Sequence, residues 1–270
     1  MLKDKKTGFI GGGNMAEAII KGLLAGGVAA ADLTVAEPFP QRRDYLAERY
    51  GITTIADNVE LCQASDTIII AVKPQVSNAV FSTIENVVGV NKLVISIMAG
   101  VRTAAVEGAL TQGARVVRVM PNTPALVLEG ASALCRGANA SDDDVVLTRH
   151  IFELIGTACV VDEKYMDAVT GLSGSGPAYV LTFIEALADA GVKQGLTRDT
   201  ATALAAQTVL GSAKLLLETR EHPAVLRGNV TSPGGTTIAG MYALEKEGFR
   251  GAVMDAVEAA TARSIELGAK

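Results

Sequence analysis

Up to Asp162, short apolar runs of strand length alternate with stretches of helical spacing. The strand-like runs are Thr7-Gly8-Phe9-Ile10, Leu33-Thr34-Val35-Ala36, Thr67 to Val72, Leu93 to Met98 and Val116 to Met120. Continuous apolar strands separated by amphipathic helices predict a parallel, doubly wound α/β sheet, covered on both faces. After Val160-Val161-Asp162 the strand signals stop, and the chain to Lys270 reads as helix. Two domains are therefore expected, residues 1–162 and an all-helical 163–270. Within the second, Thr200 to Ala213 carries no charge, and Leu204, Ala205, Val209, Leu210 and Ala213 leave it little polar face. A helix of that kind is enclosed on all sides, and in so small a domain a partner subunit is the expected cover.

The first strand runs directly into Gly11-Gly12-Gly13-Asn14-Met15-Ala16, followed by Glu17, Ala18, Ile19, Ile20, Leu23 and Leu24 at helical spacing. Strand, glycine-rich turn and helix in that order match the dinucleotide fingerprint of a Rossmann-like domain. Gly11 makes the tight turn, Gly13 admits the pyrophosphate, and Ala16 lets helix and strand close. Lys3, Lys5 and Lys6 precede this stretch as in a signal peptide, but its glycines, Asn14 and Glu17 break the apolar core that such a peptide needs. Three later strands end in loops suited to the carboxyl edge of the sheet, where ligands bind in such folds: Val72-Lys73-Pro74, Ala99-Gly100 and Met120-Pro121-Asn122-Thr123-Pro124.

A second anion site is predicted far downstream. Ser232-Pro233-Gly234-Gly235-Thr236-Thr237 precedes a helical run through Ile238, Met241, Tyr242 and Leu244. Its backbone N–H groups and the helix dipole would receive a small carboxylate without an Arg or Lys. Ser173-Gly174-Ser175-Gly176-Pro177 is a further small-residue stretch where backbone can approach a ligand or a neighbouring helix closely.

Composition narrows the classes. Hydrophobic residues make up 49% of the 270, yet the longest uncharged run, Ala168 to Ile184, is broken by glycines and Pro177 and cannot span a bilayer. With 24 basic against 29 acidic residues and no long basic run, neither nucleic acid nor a membrane is an expected partner. Cys62, Cys135 and Cys159 are odd in number and widely spaced, which suits a reducing, cytoplasmic setting better than a disulfide framework. The only histidines are His150 and His222, and no metal-ligand spacing occurs, so metal catalysis is not expected. A dinucleotide-binding sheet joined to helices with an anion-holding start predicts an oxidoreductase acting on a small acid by hydride transfer.

Taken together, Gly8 to Met15, Ala71-Val72-Lys73-Pro74, Met120 to Pro124, Gly171 to Tyr179 and Val230 to Thr237 resemble pyrroline-5-carboxylate reductases over essentially the whole chain. The resemblance implies reduction of 1-pyrroline-5-carboxylate to L-proline by NAD(P)H, the last step of proline biosynthesis. It implies that Ile10, Gly11, Gly12, Gly13, Asn14 and Met15 line the pyrophosphate. Ala71, Val72, Lys73 and Pro74 would lie along the adenosine and the middle of the cofactor, with Asn58, Ala99, Gly100 and Asn229 completing the trough. Glu163, Thr236 and Thr237 match product-site positions, and the helical domains of the family interlock into homodimers that commonly assemble into decamers. The substrate is a carboxylate-bearing cyclic imine, so the N–H groups of Gly235 and Thr236 would hold its carboxylate. The Thr237 hydroxyl, too weak an acid to act alone, would orient the ring nitrogen.

NADP is the cofactor the family implies. Glu37, followed by Pro38, departs from it, because an acid closing the second strand accepts from a ribose 2′-hydroxyl and repels a 2′-phosphate, which leaves NADH open. Arg42 and Arg43 oppose this as phosphate holders. A β-hydroxyacid dehydrogenase is the nearest alternative, but its catalytic Lys is missing from Gly174 to Leu181. A dinucleotide-sensing protein without turnover is the other, and the intact Thr237 loop argues against it.

Overall fold

The computed structural model describes residues 5–268, so Lys3 of the basic N-terminal stretch lies outside the described residues. The strands are β1 (Thr7–Ile10), β2 (Leu33–Ala36), β3 (Thr53–Ile55), β4 (Thr67–Ile70), β5 (Leu93–Ser96), β6 (Arg115–Met120), β7 (Gly130–Arg136) and β8 (Gly156–Val160). The helices are α1 (Asn14–Ala25), α2 (Pro40–Tyr50), α3 (Asn58–Ala64), α4 (Ser77–Ile84), α5 (Thr103–Gly108), α6 (Asp142–Glu153), α7 (Met166–Val169), α8 (Gly176–Lys193), α9 (Arg198–Thr219), α10 (Pro223–Asn229), α11 (Thr236–Lys246) and α12 (Phe249–Gly268).

The strands form one sheet in the order β3-β2-β1-β4-β5-β6-β7-β8. Neighbours through β6 are parallel, with Ile10 beside both Ala36 and Ile70. The first six strands thus have the order of a dinucleotide-binding sheet. β7 then runs antiparallel to β6, and β8 parallel to β7, so the sheet is mixed where a parallel one was expected. The reason is length. Only Pro121 to Glu129 joins β6 to β7, and its short 3₁₀ turn, Thr123–Val127, cannot return the chain for a parallel pairing.

Side chains alternate between two cores, as the pleat requires. Phe9, Val35, Ile69, Ile95 and Val117 pack with Ile19, Leu23 and Phe152 on one face. Ile10, Ala36, Ile68, Ile70, Val94 and Val116 pack with Leu61, Phe81 and Val106 on the other. Burial on both faces is why these strands read as unbroken apolar runs.

The chain forms two compact units, and their limits differ from the 162/163 boundary expected from the loss of strand signals. One unit runs to Ser175 and takes back the residues from Glu258 on; the other is Gly176–Val257. Residues just after β8 stay with the sheet because Met166, fully buried, packs on Ala133 and Cys135. Asn122 Nδ2 also donates to the Ser173 carbonyl (3.0 Å) while its Oδ1 accepts from Ala131 N–H (2.8 Å). Ser173 lies in a π-helical turn, Thr170–Gly174, closed by Ser175 N–H to the Thr170 carbonyl at 2.9 Å. The end of α12 returns to the same unit, with Ser264 Oγ donating to Asp167 Oδ1 at 2.6 Å.

In the helical unit, α8 and α9 cross closely enough that a Cβ on Gly191 would lie 3.0 Å from Ala201 Cβ. Its buried apolar residues are Ala188, Ala201 and Ala205. Leu210, by contrast, is 59% exposed and Tyr242 is 72% exposed. No described helix is long and apolar enough to cross a membrane.

Candidate active site

Because β1 to β6 are parallel, the loops that follow them share one edge of the sheet. Gly11 to Met15, Glu37-Pro38, Asn58, Ala71 to Pro74, Ala99-Gly100 and Pro121 to Pro124 all follow those strands. The six connections that carry these residues therefore lie along one edge of the sheet.

Its centre is the turn between β1 and α1. Gly11 has φ +93 and donates its N–H to the Ala36 carbonyl (2.8 Å); a Cβ there would stand 2.9 Å from both the Ala71 carbonyl oxygen and Val72 Cγ1. Only glycine fits the conformation and the space. Gly13 is different: it is exposed, a Cβ would meet nothing within 4 Å, and it caps α1 without any side-chain bond. The opening N–H groups of α1, at Asn14, Met15 and Ala16, have no intrahelical acceptor and sit at the positive end of the helix. An open glycine before an uncapped helix start fits a pyrophosphate.

The six residues Ile10 to Met15 do not share one role. Ile10 is buried in the core, and its carbonyl accepts from Ala71 N–H at 2.9 Å. Gly12 turns its N–H to Glu37 Oε2 at 2.8 Å, so that donor is not offered to a ligand. The open donors belong to Asn14 and Met15. Around them Lys73 and Pro38 are exposed, and Ala71, Val72, Pro74 and Asn58 are half-buried. Asn58 is held at the start of α3 by Asp57, whose carboxylate accepts from Val59 N–H (2.7 Å) and Glu60 N–H (3.2 Å). Ala99 is exposed, and Gly100, φ +76, makes the turn after β5.

Glu37 is buried. Besides Gly12, it accepts from Phe39 N–H through Oε1 at 3.1 Å. Arg42 donates through Nε to the Gly12 carbonyl (2.6 Å) and through Nη2 to Glu17 Oε2 (2.6 Å). Burial works against the Glu17 carboxylate, but bonds from Tyr50, Arg42 and Tyr45, with the Arg42 charge, outweigh it and hold its pKa below the usual range. Tyr50 moves the other way, raised by burial and by donating to Glu17.

Glu163, placed at the product site by resemblance, follows β8 in the sheet unit. Its Oε1 accepts from Thr103 N–H (2.7 Å) and its Oε2 from Thr103 Oγ1 (2.8 Å), and Arg118 Nη1 lies 3.3 Å from Oε1. Thr103 and Arg118 were missed in the sequence. The signal was Arg118 itself, a charge amid the valines of a strand that reads as buried, which requires a partner. Burial pushes the neighbouring Cys135 thiol up to about 12, with the Glu163 charge adding to the rise.

In the helical unit, Gly234 (φ +67) turns the chain into α11, and Gly235 is its N-cap without a side-chain bond. Gly235 N–H donates to the Ser232 carbonyl at 3.1 Å, so the expected carboxylate donor at Gly235 is spent within the turn. The N–H groups left at the helix start are those of Thr236, Thr237 and Ile238, since the first intrahelical bond runs from Ala239 N–H to the Gly235 carbonyl. Thr236 is exposed and Thr237 half-buried; Asn229, exposed, ends α10 of the same unit.

Comparison with known proteins divides the chain at residue 163, as the loss of strand signals does, and not at the limits of the two compact units. A family model described as pyrroline-5-carboxylate reductase dimerisation matches residues 163–267, and one described as NADP oxidoreductase coenzyme F420-dependent matches residues 6–100. The chain is 47% identical to a pyrroline-5-carboxylate reductase of Methanosarcina acetivorans over 273 residues, covering 100% of both chains. It is similar to the solved pyrroline-5-carboxylate reductase of Coxiella burnetii, with TM-score 0.92, 37% identity and coverage of 97% and 98% of the two chains. The Plasmodium falciparum pyrroline carboxylate reductase, solved with NADP bound, matches with TM-score 0.89 and 36% identity over 99% of this chain and 100% of that one.

Proposed function

The chain belongs to the pyrroline-5-carboxylate reductase family, and we infer from this that it reduces the C=N bond of 1-pyrroline-5-carboxylate with NAD(P)H, giving L-proline. A nicotinamide bound there would supply the hydride that the imine carbon needs, and the ring nitrogen would need a proton. The protein's part is to bind, orient and neutralise. The glycine turn and the N–H groups of Asn14 and Met15 hold the pyrophosphate. Asn58, Ala71 to Pro74, Ala99-Gly100 and Asn229 are read as the remaining cofactor contacts. The N–H groups of Thr236 and Thr237 receive the substrate carboxylate, and the Thr237 hydroxyl meets the ring nitrogen. A hydroxyl is too weak an acid to protonate the ring alone, so Thr237 orients the imine and passes on a proton that it receives.

The observation carrying these placements is the start of α11, where a left-handed Gly234 delivers two threonines onto the opening turn. Glu163 has its carboxylate engaged by Thr103 and Arg118, so it supports the product site by holding the chain there, not by offering a free carboxylate.

The protein is a homodimer through its C-terminal helices. The exposed Leu204, Leu210, Leu217, Tyr242 and Met254 in a unit with three buried alanines support this reading. Assembly of these dimers into a decamer is the finer proposal. The free thiols of Cys62, Cys135 and Cys159 support a reducing, cytoplasmic setting.

The test is to follow loss of the nicotinamide absorbance when 1-pyrroline-5-carboxylate is added with either reduced cofactor, and to identify L-proline among the products. Oxidation of cofactor with formation of proline is expected. A protein that binds the cofactor but leaves the imine untouched would be a sensor rather than a reductase.

A further inference from the structure

We propose that this chain selects NADH over NADPH, and that Glu37 is the residue that decides it. The proposal rests on reading the β1–α1 edge as the dinucleotide site of the reductase.

An acid at the end of the second strand of such a sheet stands where the adenosine ribose lies. Glu37 follows β2 directly and is 7% exposed. Its carboxylate is fixed in place, Oε2 by Gly12 N–H at 2.8 Å and Oε1 by Phe39 N–H at 3.1 Å. Both partners of the carboxylate are neutral backbone donors, which bring it no counter-charge. They also leave lone pairs on both oxygens, since a carboxylate has about four acceptor sites. A ribose 2′-hydroxyl can donate to such a group, whereas a 2′-phosphate, an anion with acceptor oxygens, would be repelled by it.

Of the two cations that could reverse this choice, Arg42 is committed elsewhere and Arg43 is held by Nη1 against backbone carbonyls. Arg42 gives Nε to the Gly12 carbonyl and Nη2 to Glu17, both at 2.6 Å, and its guanidinium lies 5.0 Å from the centre of the Tyr45 ring. Its charge is answered by Glu17, which Tyr45 and Tyr50 also hold at 2.9 and 2.7 Å. Arg43 gives Nη1 to the carbonyls of Glu37 (2.7 Å) and Pro38 (3.0 Å). Glu37 and Arg42 thus grip the N–H and the C=O of the same glycine. Turning Arg42 toward a phosphate would break two charge-assisted bonds and release the turn that carries the pyrophosphate.

Direct binding separates this proposal from the activity itself. Fluorescence titration of the intact protein with NADH and with NADPH, without substrate, should give at least a tenfold lower Kd for NADH. Glu37→Ser should shrink that ratio at least tenfold, chiefly through tighter NADPH binding. Arg42→Ala should weaken both cofactors alike, since it loosens Gly12. Wild type binding NADPH as tightly as NADH, or a loss confined to NADPH in Arg42→Ala, would overturn the proposal while leaving the reductase reading intact. Failure to bind either nucleotide would overturn both.

Discussion

Glu163 and Thr103, sixty residues apart, are joined by two hydrogen bonds: the backbone N–H and the hydroxyl of Thr103 each reach one oxygen of the Glu163 carboxylate, at 2.7 and 2.8 Å. The same carboxylate pairs with Arg118, whose side chain is 3% exposed. Replacing the acid with an amide leaves a buried guanidinium without a counter-charge and turns a donor toward Thr103. Glu163→Gln should cost about 3 kcal/mol of stability by urea unfolding. Adding Arg118→Met should return part of that loss, because the unpaired charge is then gone. Equal losses in the single and double variants would show that the pair does not carry the cost.

Thr237→Val removes the side-chain group assigned to the imine nitrogen while keeping shape. Turnover should fall roughly tenfold to a hundredfold, the worth of a hydrogen bond of about 1 to 3 kcal/mol, with cofactor affinity little changed. An unchanged kcat/KM for the imine would remove Thr237 from the mechanism.

Leu210 is exposed on α9, in the uncharged stretch expected to need a partner. Leu210→Asp should dissociate the assembly, read by light scattering at micromolar concentration, and activity should be lost with it. A wild-type chain that is monomeric and fully active would show that the apolar residues of α9 have no partner in solution.

Burial pushes the thiol of Cys62 up to about 11 and that of Cys135 to about 12, from an ordinary 9.0. Both should resist iodoacetamide in the native protein at neutral pH and react once it is unfolded. In the unfolded chain they ionise first, so the stability they contribute is complete below pH 9 and is lost as pH rises toward 11 and 12. Denaturation curves of Cys62→Ala should therefore show a shallower alkaline decline than wild type; an identical slope would mean that the thiolate forms as easily in the core as in water.

The parts of the fold legible in the sequence were those with a one-dimensional signature. β1, β2, β4, β5 and β6 are apolar runs buried on both faces, and Gly11 and Gly13 stand out by their spacing. β3 is three residues of Thr-Thr-Ile without a fully buried side chain. β7 and β8, Gly-Ala-Ser-Ala-Leu-Cys-Arg and Gly-Thr-Ala-Cys-Val, lack the β-branched density that marks a strand. Their reversal against β6 had no signature at all, being decided by connection length. At the candidate site, the glycine turn and the helix start that carries Thr236 and Thr237 could be read because they are neighbours in sequence. The engagement of Glu163 by Thr103 and Arg118, and of Gly12 by Glu37 and Arg42, joins residues that only the fold brings together.

The last turns of α12 belong, by their contacts, to the unit that begins the chain. Ser264 bonds Asp167, and a Cβ on Gly268 would stand 2.7 Å from the Gly100 carbonyl oxygen. The helical unit is thus an insertion, and the sheet unit is finished by residues made after it. Synthesis therefore cannot complete the sheet unit and then append the helical one: the turn that carries Gly100 waits, unbraced, until α12 has emerged.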